Sequence, residues 1–404
     1  MFIELHIIQN FAPSNLNRDD TNSPKDCTFG GTRRARISSQ CLKRAIRTAP
    51  VFRESVADRV GVRTKHLCEQ IVMQLGRDPQ EAREVVAAIL AEAGYKQDGG
   101  KTSVLLYLSP GEIDAYAAAI KPHYDRLRPL VLDMKSKDAK ALAEVNAAKL
   151  KAQEAKANGE KVAEVKTKPV GKAKEAEGSK LELGDLKKSL AALGSHTTEA
   201  ADIALFGRMV AETTNMNIDA ACQVAHAIST HPVAVEMDFY TAVDDLQPKE
   251  ETGAGMMGII EYNSACFYRY AVVKIEDLER NLHGDRDSAV QAAIGFCKAA
   301  VAAIPSGKQN SMAAHNPPSY IGLKVRTSGQ PWSLTNAFVE SVRVSPKQPD
   351  LVRLSIEKLR TYDRSLSDTY GAEGVVLDRA ASTYTDLRDD TVPGLWQALA
   401  AALK

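Results

Sequence analysis

"FGGTRRARISSQCLKRAIR", residues 29–47, brings two glycines, six basic residues and a double serine into one run. Gly30 and Gly31 can take backbone angles that other residues resist, and Ser38 or Ser39 is placed to cap a helix that follows. At about 100° per residue, Gln40, Lys43, Arg44 and Arg47 fall within about a third of that helix's circumference, with Leu42, Ala45 and Ile46 opposite. The spacing therefore predicts a helix with one basic face and one core face. Phosphates favour a helix N-terminus, where free backbone N–H groups meet the positive end of the dipole. With Arg33, Arg34 and Arg36 leading in, the run reads as a track for a phosphate backbone. The sequence has neither G-x-x-x-x-G-K-[ST] nor G-x-G-x-x-G, so a polyanion is favoured over a mononucleotide. If about six of these cations each meet a phosphate, single-strand binding should fall with a log–log salt slope of about −4.

The charge around this run is local. The 404-residue chain carries a formal net charge of only +1, yet residues 25–66 hold eleven Lys/Arg against three Asp/Glu. A basic patch on a balanced protein is the footprint of a surface that follows phosphates. The length suits two or three domains. No stretch approaches the roughly 20 apolar residues that span a bilayer, and "MFIELHIIQNF" lacks the basic start and cleavage site of a secretory leader. The six cysteines, at 27, 41, 68, 222, 266 and 297, form no C-x-x-C pair. They read as reduced thiols of a cytoplasmic protein rather than zinc ligands or a disulfide framework.

Outward from the basic run, residues 2–10 read as a buried strand that ends in a loop at Pro13–Asn17. "RTKHLCEQIVMQL" and "PQEAREVVAAILAEAG" have helical spacing, the second stopped by Gly94. Residues 134–180, mostly Lys, Ala, Glu and Val, read as a charged helical excursion or a partly disordered insert rather than core. "VAVEMDFYTAVDDL" and "IIEYNSACFYRYAVVKI" read as a long β-hairpin linked through "EETGAGMMG". A helix at 285–303, a strand "YIGLKVR", a helix "LTNAFVESV" and a polar C-terminal region ending in a short helix complete an α+β sheet domain split by an insertion.

A string of motifs narrows the reading. "SNLNRDDTNSPKDCTFGGTRRARISSQCLKRA" (14–45), "RTKHL" (63–67), "DIALFGRM" (202–209), "AHAISTH" (225–231), "DFYTAVDDLQ" (238–247) and "FYRYA" (267–271) resemble, in order, the backbone subunit of the type I-E CRISPR surveillance complex. That family is CasC of Cascade, within the RAMP superfamily, and "AHNP" with "LTNAF" extends the likeness toward the C-terminus. The resemblance implies an RRM-like (ferredoxin-like) palm sheet with inserted helical fingers and a β-hairpin thumb. The implied palm occupies 1–58, 216–232 and 263–404, the fingers 59–215, and the thumb 233–262. It also implies a non-catalytic subunit that polymerises with copies of itself along crRNA, kinks it at intervals and presents it for pairing with target DNA. Its implied partners are the other Cascade subunits and a recruited helicase-nuclease; no cofactor, metal or membrane is expected.

Position by position, Ser38, Gln40, Lys43, Arg44 and Arg47 match the family's guide-backbone helix, and Arg18, Asp20, Lys25 and His66 its neighbouring contacts. Met209 matches a residue packed on a guide base. Phe239, Tyr240 and Val243 match the thumb base, where the family has Trp at the first position, and Met257 matches the wedge at the thumb tip. Apolar contacts to unstacked bases are worth roughly 1–3 kcal/mol each without reading sequence. Lys187 and Lys188 are the nearest matches to finger lysines that hold target DNA.

Two competing readings stand beside this one. Related RAMP subunits cut RNA through a loop aspartate, and Asp19, Asp20 or Asp26 could serve a metal-dependent ribonuclease, Asp26 foremost. Asp residues between loop glycines and prolines more ordinarily form turns. The third reading is a single-strand RNA-binding module that acts as a monomer. His226 and His231, five residues apart, do not have the spacing of a helical metal pair, and no G-x-S-x-G elbow supports acyl transfer.

Overall fold

The computed structural model describes residues 1–129, 131–133, 185–186, 188–190, 193, 196–210, 216–246 and 255–404. The excursion at 134–180 lies outside them. Two compact units emerge: Met1–Val60, Thr197–Gly207 and Ile218–Lys404 form the first, and Gly61–His196 with Arg208–Asn217 the second. The segment Thr197–Gly207, assigned from sequence to the fingers, thus belongs with the first unit.

The first unit is built on an antiparallel sheet. Its strands run in the order Val375–Ser382, Tyr320–Arg326, Phe2–Ser14, Met256–Lys274, Ala227–Ser229, Thr32–Ile37 and Asp26–Phe29, and Glu236–Ala242 and Cys222–Val224 also pair with Met256–Lys274. Phe2–Ser14 is the strand expected from its apolar run. It sits between two neighbours, registered Phe2↔Lys274 on one side and Phe2↔Arg326 on the other. Ile3, Leu5 and Ile7 join a core with Ile46, Phe52, Phe296 and Leu399. The opposite face packs Ile8, Tyr268 and Tyr320 against Phe338, Ile356 and Leu359. Helices therefore cover both faces, which is why this strand reads as a nearly continuous apolar run. The result is a mixed α+β fold organised by a large antiparallel sheet, as expected.

Between the apolar residues, Glu4 and His6 are also buried. Glu4 accepts from Arg326 Nε at 2.6 Å and from the Trp332 backbone N–H at 2.7 Å. His6 Nδ1 lies 2.9 Å from the Tyr268 hydroxyl. Burial raises the Glu4 carboxyl pKa and lowers that of His6 to about 3, leaving the imidazole neutral at physiological pH.

Three elements differ from the sequence reading. "LTNAFVESV" forms only a short 3-10 turn at Leu334–Phe338. The C-terminal region holds a 20-residue helix, Leu351–Tyr370, capped by Asp350, and then the edge strand Val375–Ser382. "RTKHL" opens with a short strand, Val62–Thr64, before the helix Leu67–Leu75 begins.

The second unit has its own core, where Leu67, Ile71 and Leu75 meet Val85, Ile89, Tyr116 and Ile120. Val62–Thr64 pairs with Leu106–Leu108. Arg208 anchors that pair, donating to the Tyr107 carbonyl at 3.1 Å and to Glu112 at 2.7 Å. All six cysteines are free thiols, and Cys68, Cys222, Cys266 and Cys297 are buried. Among the described residues, no helix is long and apolar enough to cross a membrane.

Candidate nucleic-acid interface

Strands Asp26–Phe29 and Thr32–Ile37 form a hairpin turned by Gly30 and Gly31, at φ +58° and +74°. A Cβ at Gly30 would stand 1.7 Å from the Val339 carbonyl oxygen, so only glycine fits. The chain then enters the helix Ser39–Thr48, where Ser38 Oγ accepts from Cys41 N–H at 3.3 Å. The Asn17 side chain fixes the cap by accepting from Ser38 N–H at 2.8 Å. Leu42 and Ile46 face the core, Gln40 and Arg44 are exposed, and Lys43 and Arg47 are half-buried. The amphipathic helix expected from the sequence is present, and Ser38 acts as its cap.

The cations of the run are not equivalent. Arg34 is wholly buried. Its guanidinium donates to Thr32 Oγ1 at 2.8 Å and to the carbonyls of Ser229 at 3.0 Å and Phe338 at 2.8 Å. It is a strut between strands and cannot present charge to a phosphate, which removes it from the expected binding set. Arg33 pairs with Asp26. Arg36 donates to the Asp26 carbonyl at 3.0 Å and lies 3.2 Å from His226 Nδ1. Burial, then Arg36 and Lys25, hold the His226 pKa down. Arg47 Nε donates to Asp202 at 2.8 Å, and that carboxylate is fully buried. The Lys43 ammonium stands 5.8 Å from the Phe206 ring centroid. The "DIALFGRM" segment thus holds two cations of the basic helix in place.

Two grooves meet at Arg18 and Asp19. One, of about 830 Å³, runs between Arg44 and Thr48 on the helix and the loop Ala302–Gly307. The other, of about 1060 Å³, is lined by Asp20, Lys25, Asp26, Arg33, Arg36 and Met237. The Arg18 guanidinium reaches the Asn22 side chain at 3.3 Å. Among the described residues, no carboxylate pairs with Arg18, Lys25 or Arg44. Asp19 accepts from Thr21 Oγ1 and from the backbone N–H groups of Thr21 and Ser23, which lowers its pKa and closes a turn. Asp20 is exposed at the groove wall.

Glu236–Ala242 pairs antiparallel with the start of Met256–Lys274, as the β-branched and aromatic segments predict. Register sorts its side chains. Phe239 opposes Ile259, and Thr241 opposes Met257. Met237, Phe239, Met257 and Ile259 therefore share one face, and all four are exposed. Tyr240 lies on the other face, where its ring covers Gly258: a Cβ there would meet Tyr240 Cζ at 2.4 Å. Val243 is exposed just past the strand. Met237 and Ile259 were missed from sequence, although the alternation through "EMDFYTA" carries the signal for Met237 and its register with "MMGIIEY" the signal for Ile259.

In the second unit, His66 is exposed with Nδ1 3.3 Å from Glu69, and Met209 is 87% exposed. Lys188 is exposed, 3.8 Å from Asp185; Lys187 lies outside the described residues. Among the described residues, no group of three or more His, Cys, Asp or Glu is placed to hold a metal ion.

Comparison with known proteins places this architecture. A solved chain described as "CRISPR RNA-guided surveillance complex, pre-nicking" superposes with a TM-score of 0.76 at 29% identity, both chains covered in full. A second, described as "CRISPR RNA-guided surveillance complex", gives 0.57 at 24% identity, again over all of both chains, a likeness of fold alone. No curated protein matches. The model of CT1975-like proteins matches residues 3–394, so the chain belongs to the CT1975-like family.

Proposed function

We propose that the chain is a non-catalytic guide-RNA-binding backbone subunit of a CRISPR surveillance complex of the type I-E Cascade kind. In this reading it polymerises along crRNA in the cytoplasm with companion subunits. The thumb hairpin displaces a nucleotide at intervals, and the guide is presented to target DNA for a recruited helicase-nuclease. The observation that carries the reading is the capped basic helix, whose Arg44 lines one groove with Arg18, while Arg18 and Lys25 line the groove that adjoins it. Phosphate contacts of this kind are indifferent to sequence, as a protein that accepts any guide requires. The likeness at 29% identity to a chain of an RNA-guided surveillance complex supports the same reading. The non-catalytic assignment is supported by the acids: Asp26 is neutralised by Arg33, and Asp19 is engaged in its turn.

The test is a salt titration of the purified chain with labelled single-stranded RNAs of unrelated sequence. With Arg18, Lys25, Lys43 and Arg44 each meeting a phosphate, a log–log slope of about −3 or steeper is expected for all of them, made shallower by about 1.4 in Lys43→Glu/Arg44→Glu. A slope near zero, or a variant that binds like the parent, would overturn the proposal. Arg47→Glu is a poor control, because it sets a second carboxylate against buried Asp202.

A further inference from the structure

The second unit carries a basic surface that the basic helix does not explain. The strand Val62–Thr64 brings Arg63 and Lys65 to the surface beside the short hairpin Gln97–Asp98/Lys101–Thr102, because Thr102 N–H donates to the Lys65 carbonyl at 2.9 Å. The hairpin turns at Gly99 and Gly100, with φ +58° and +80°. The Arg83 side chain reaches the same turn, its Cδ 4.0 Å from where a Cβ on Gly100 would sit. Arg63, Lys65, Arg83 and Lys101 are all exposed. Among the described residues, no carboxylate forms an ion pair with any of the four. On the same unit Arg77 and Arg128 are neutralised by Asp125 and Glu81.

Arg63 is also pre-oriented. Its guanidinium stacks 4.5 Å above the Tyr107 ring, whose strand is held by Arg208 and Glu112. Stacking fixes the plane of the fork and leaves its N–H edges outward. Unpaired like charges around one turn repel each other unless a polyanion neutralises them.

We infer that Arg63, Lys65, Arg83 and Lys101 form a second phosphate-binding surface, taking the sugar–phosphate backbone of a nucleic acid. The inference rests on the proposed nucleic-acid function, and the ligand's shared chemistry is the phosphodiester, from either guide RNA or target DNA.

The test uses the purified full chain with two probes, a single-stranded RNA and a duplex DNA of unrelated sequence, and the variants Lys65→Glu/Lys101→Glu and Lys65→Gln/Lys101→Gln. If RNA supplies the phosphates, the first variant weakens RNA binding about 10-fold near 0.1 M salt and flattens its slope by about 1.4. If DNA supplies them, the duplex slope flattens by about 1.8 instead. The glutamine variant shows the same slope change with a smaller loss of affinity. Unchanged affinity and slope for both probes, while Lys43→Glu/Arg44→Glu still loses RNA, would overturn this surface and leave the basic helix standing. Loss of affinity with an unchanged slope would also overturn it, since that marks a folding defect. A parent chain that binds neither probe would remove both proposals.

Discussion

The strand Met256–Lys274 is continuous, yet its two halves obey opposite rules. From Asn263 onward it is almost wholly buried between Phe2–Ser14 and its other neighbours, and it carries Arg269 into the interior. Before Tyr262 it runs out into the hairpin with Met256, Met257 and Ile259 exposed. The buried half contains a charge held at both ends of its fork: Arg269 donates to Gln9 Oε1 at 2.5 Å and to the Ala300 carbonyl at 2.6 Å, while its Nε is buried without a partner among the described residues. The exposed half contains apolar side chains that none of the described residues buries. A hydrogen-bonded buried polar group indicates architecture, whereas a clustered exposed apolar face indicates recognition.

The largest effect expected from this contrast is on stability. Arg269→Ala, and equally Arg34→Ala, leaves buried carbonyls without donors and opens a cavity, costing about 3–5 kcal/mol in denaturant unfolding. A cost below about 1 kcal/mol for either would break the architectural half of the comparison. Next, Phe239→Ala/Ile259→Ala should leave stability within about 0.5 kcal/mol while weakening the RNA-bound assembly by about 1–3 kcal/mol, read by competition binding. Equal losses in both measurements would mean that the hairpin face is core after all.

A smaller effect comes from pH. Burial holds His6 neutral with its pKa lowered from 6.5 to about 3. Below pH 6.5 the unfolded chain therefore binds a proton that the folded chain refuses. Stability falls with falling pH by at most about 1.4 kcal/mol per unit. Glu4, whose pKa is raised by burial, acts in the opposite sense over its own titration, so the loss set by His6 opens as pH falls through 6.5. His6→Gln should flatten unfolding curves measured across that window, and an unchanged pH dependence would contradict a buried neutral imidazole. Smallest of all, Arg44→Ala should change stability by less than about 0.5 kcal/mol and the RNA salt slope by about 0.7.

Much of this was legible because it is local. The apolar run at 2–10, the cap at Ser38, the one-sided basic helix and the β-branched hairpin segments each carry their signal within a dozen residues. What stayed hidden depends on distant partners. Arg33 and Arg34 are neighbours in one strand, yet Arg34 is taken inside by carbonyls at Ser229 and Phe338. Arg47 is claimed by Asp202, 155 positions away. The helix Leu351–Tyr370 was missed although Asp350 and the spacing of Leu351, Ile356 and Leu359 announce it, because its polar outer face dominates the composition. The second-unit surface joins residues 63, 65, 83 and 101, which no linear motif connects.

The most direct measurement is co-expression of the chain with a CRISPR array and its companion subunits, followed by nuclease treatment and sequencing of the RNA retained on the purified particle. The account predicts spacer-derived RNA of uniform length, lost in Lys43→Glu/Arg44→Glu although that variant remains folded. A folded wild-type chain that meets its companions but retains no RNA would contradict it.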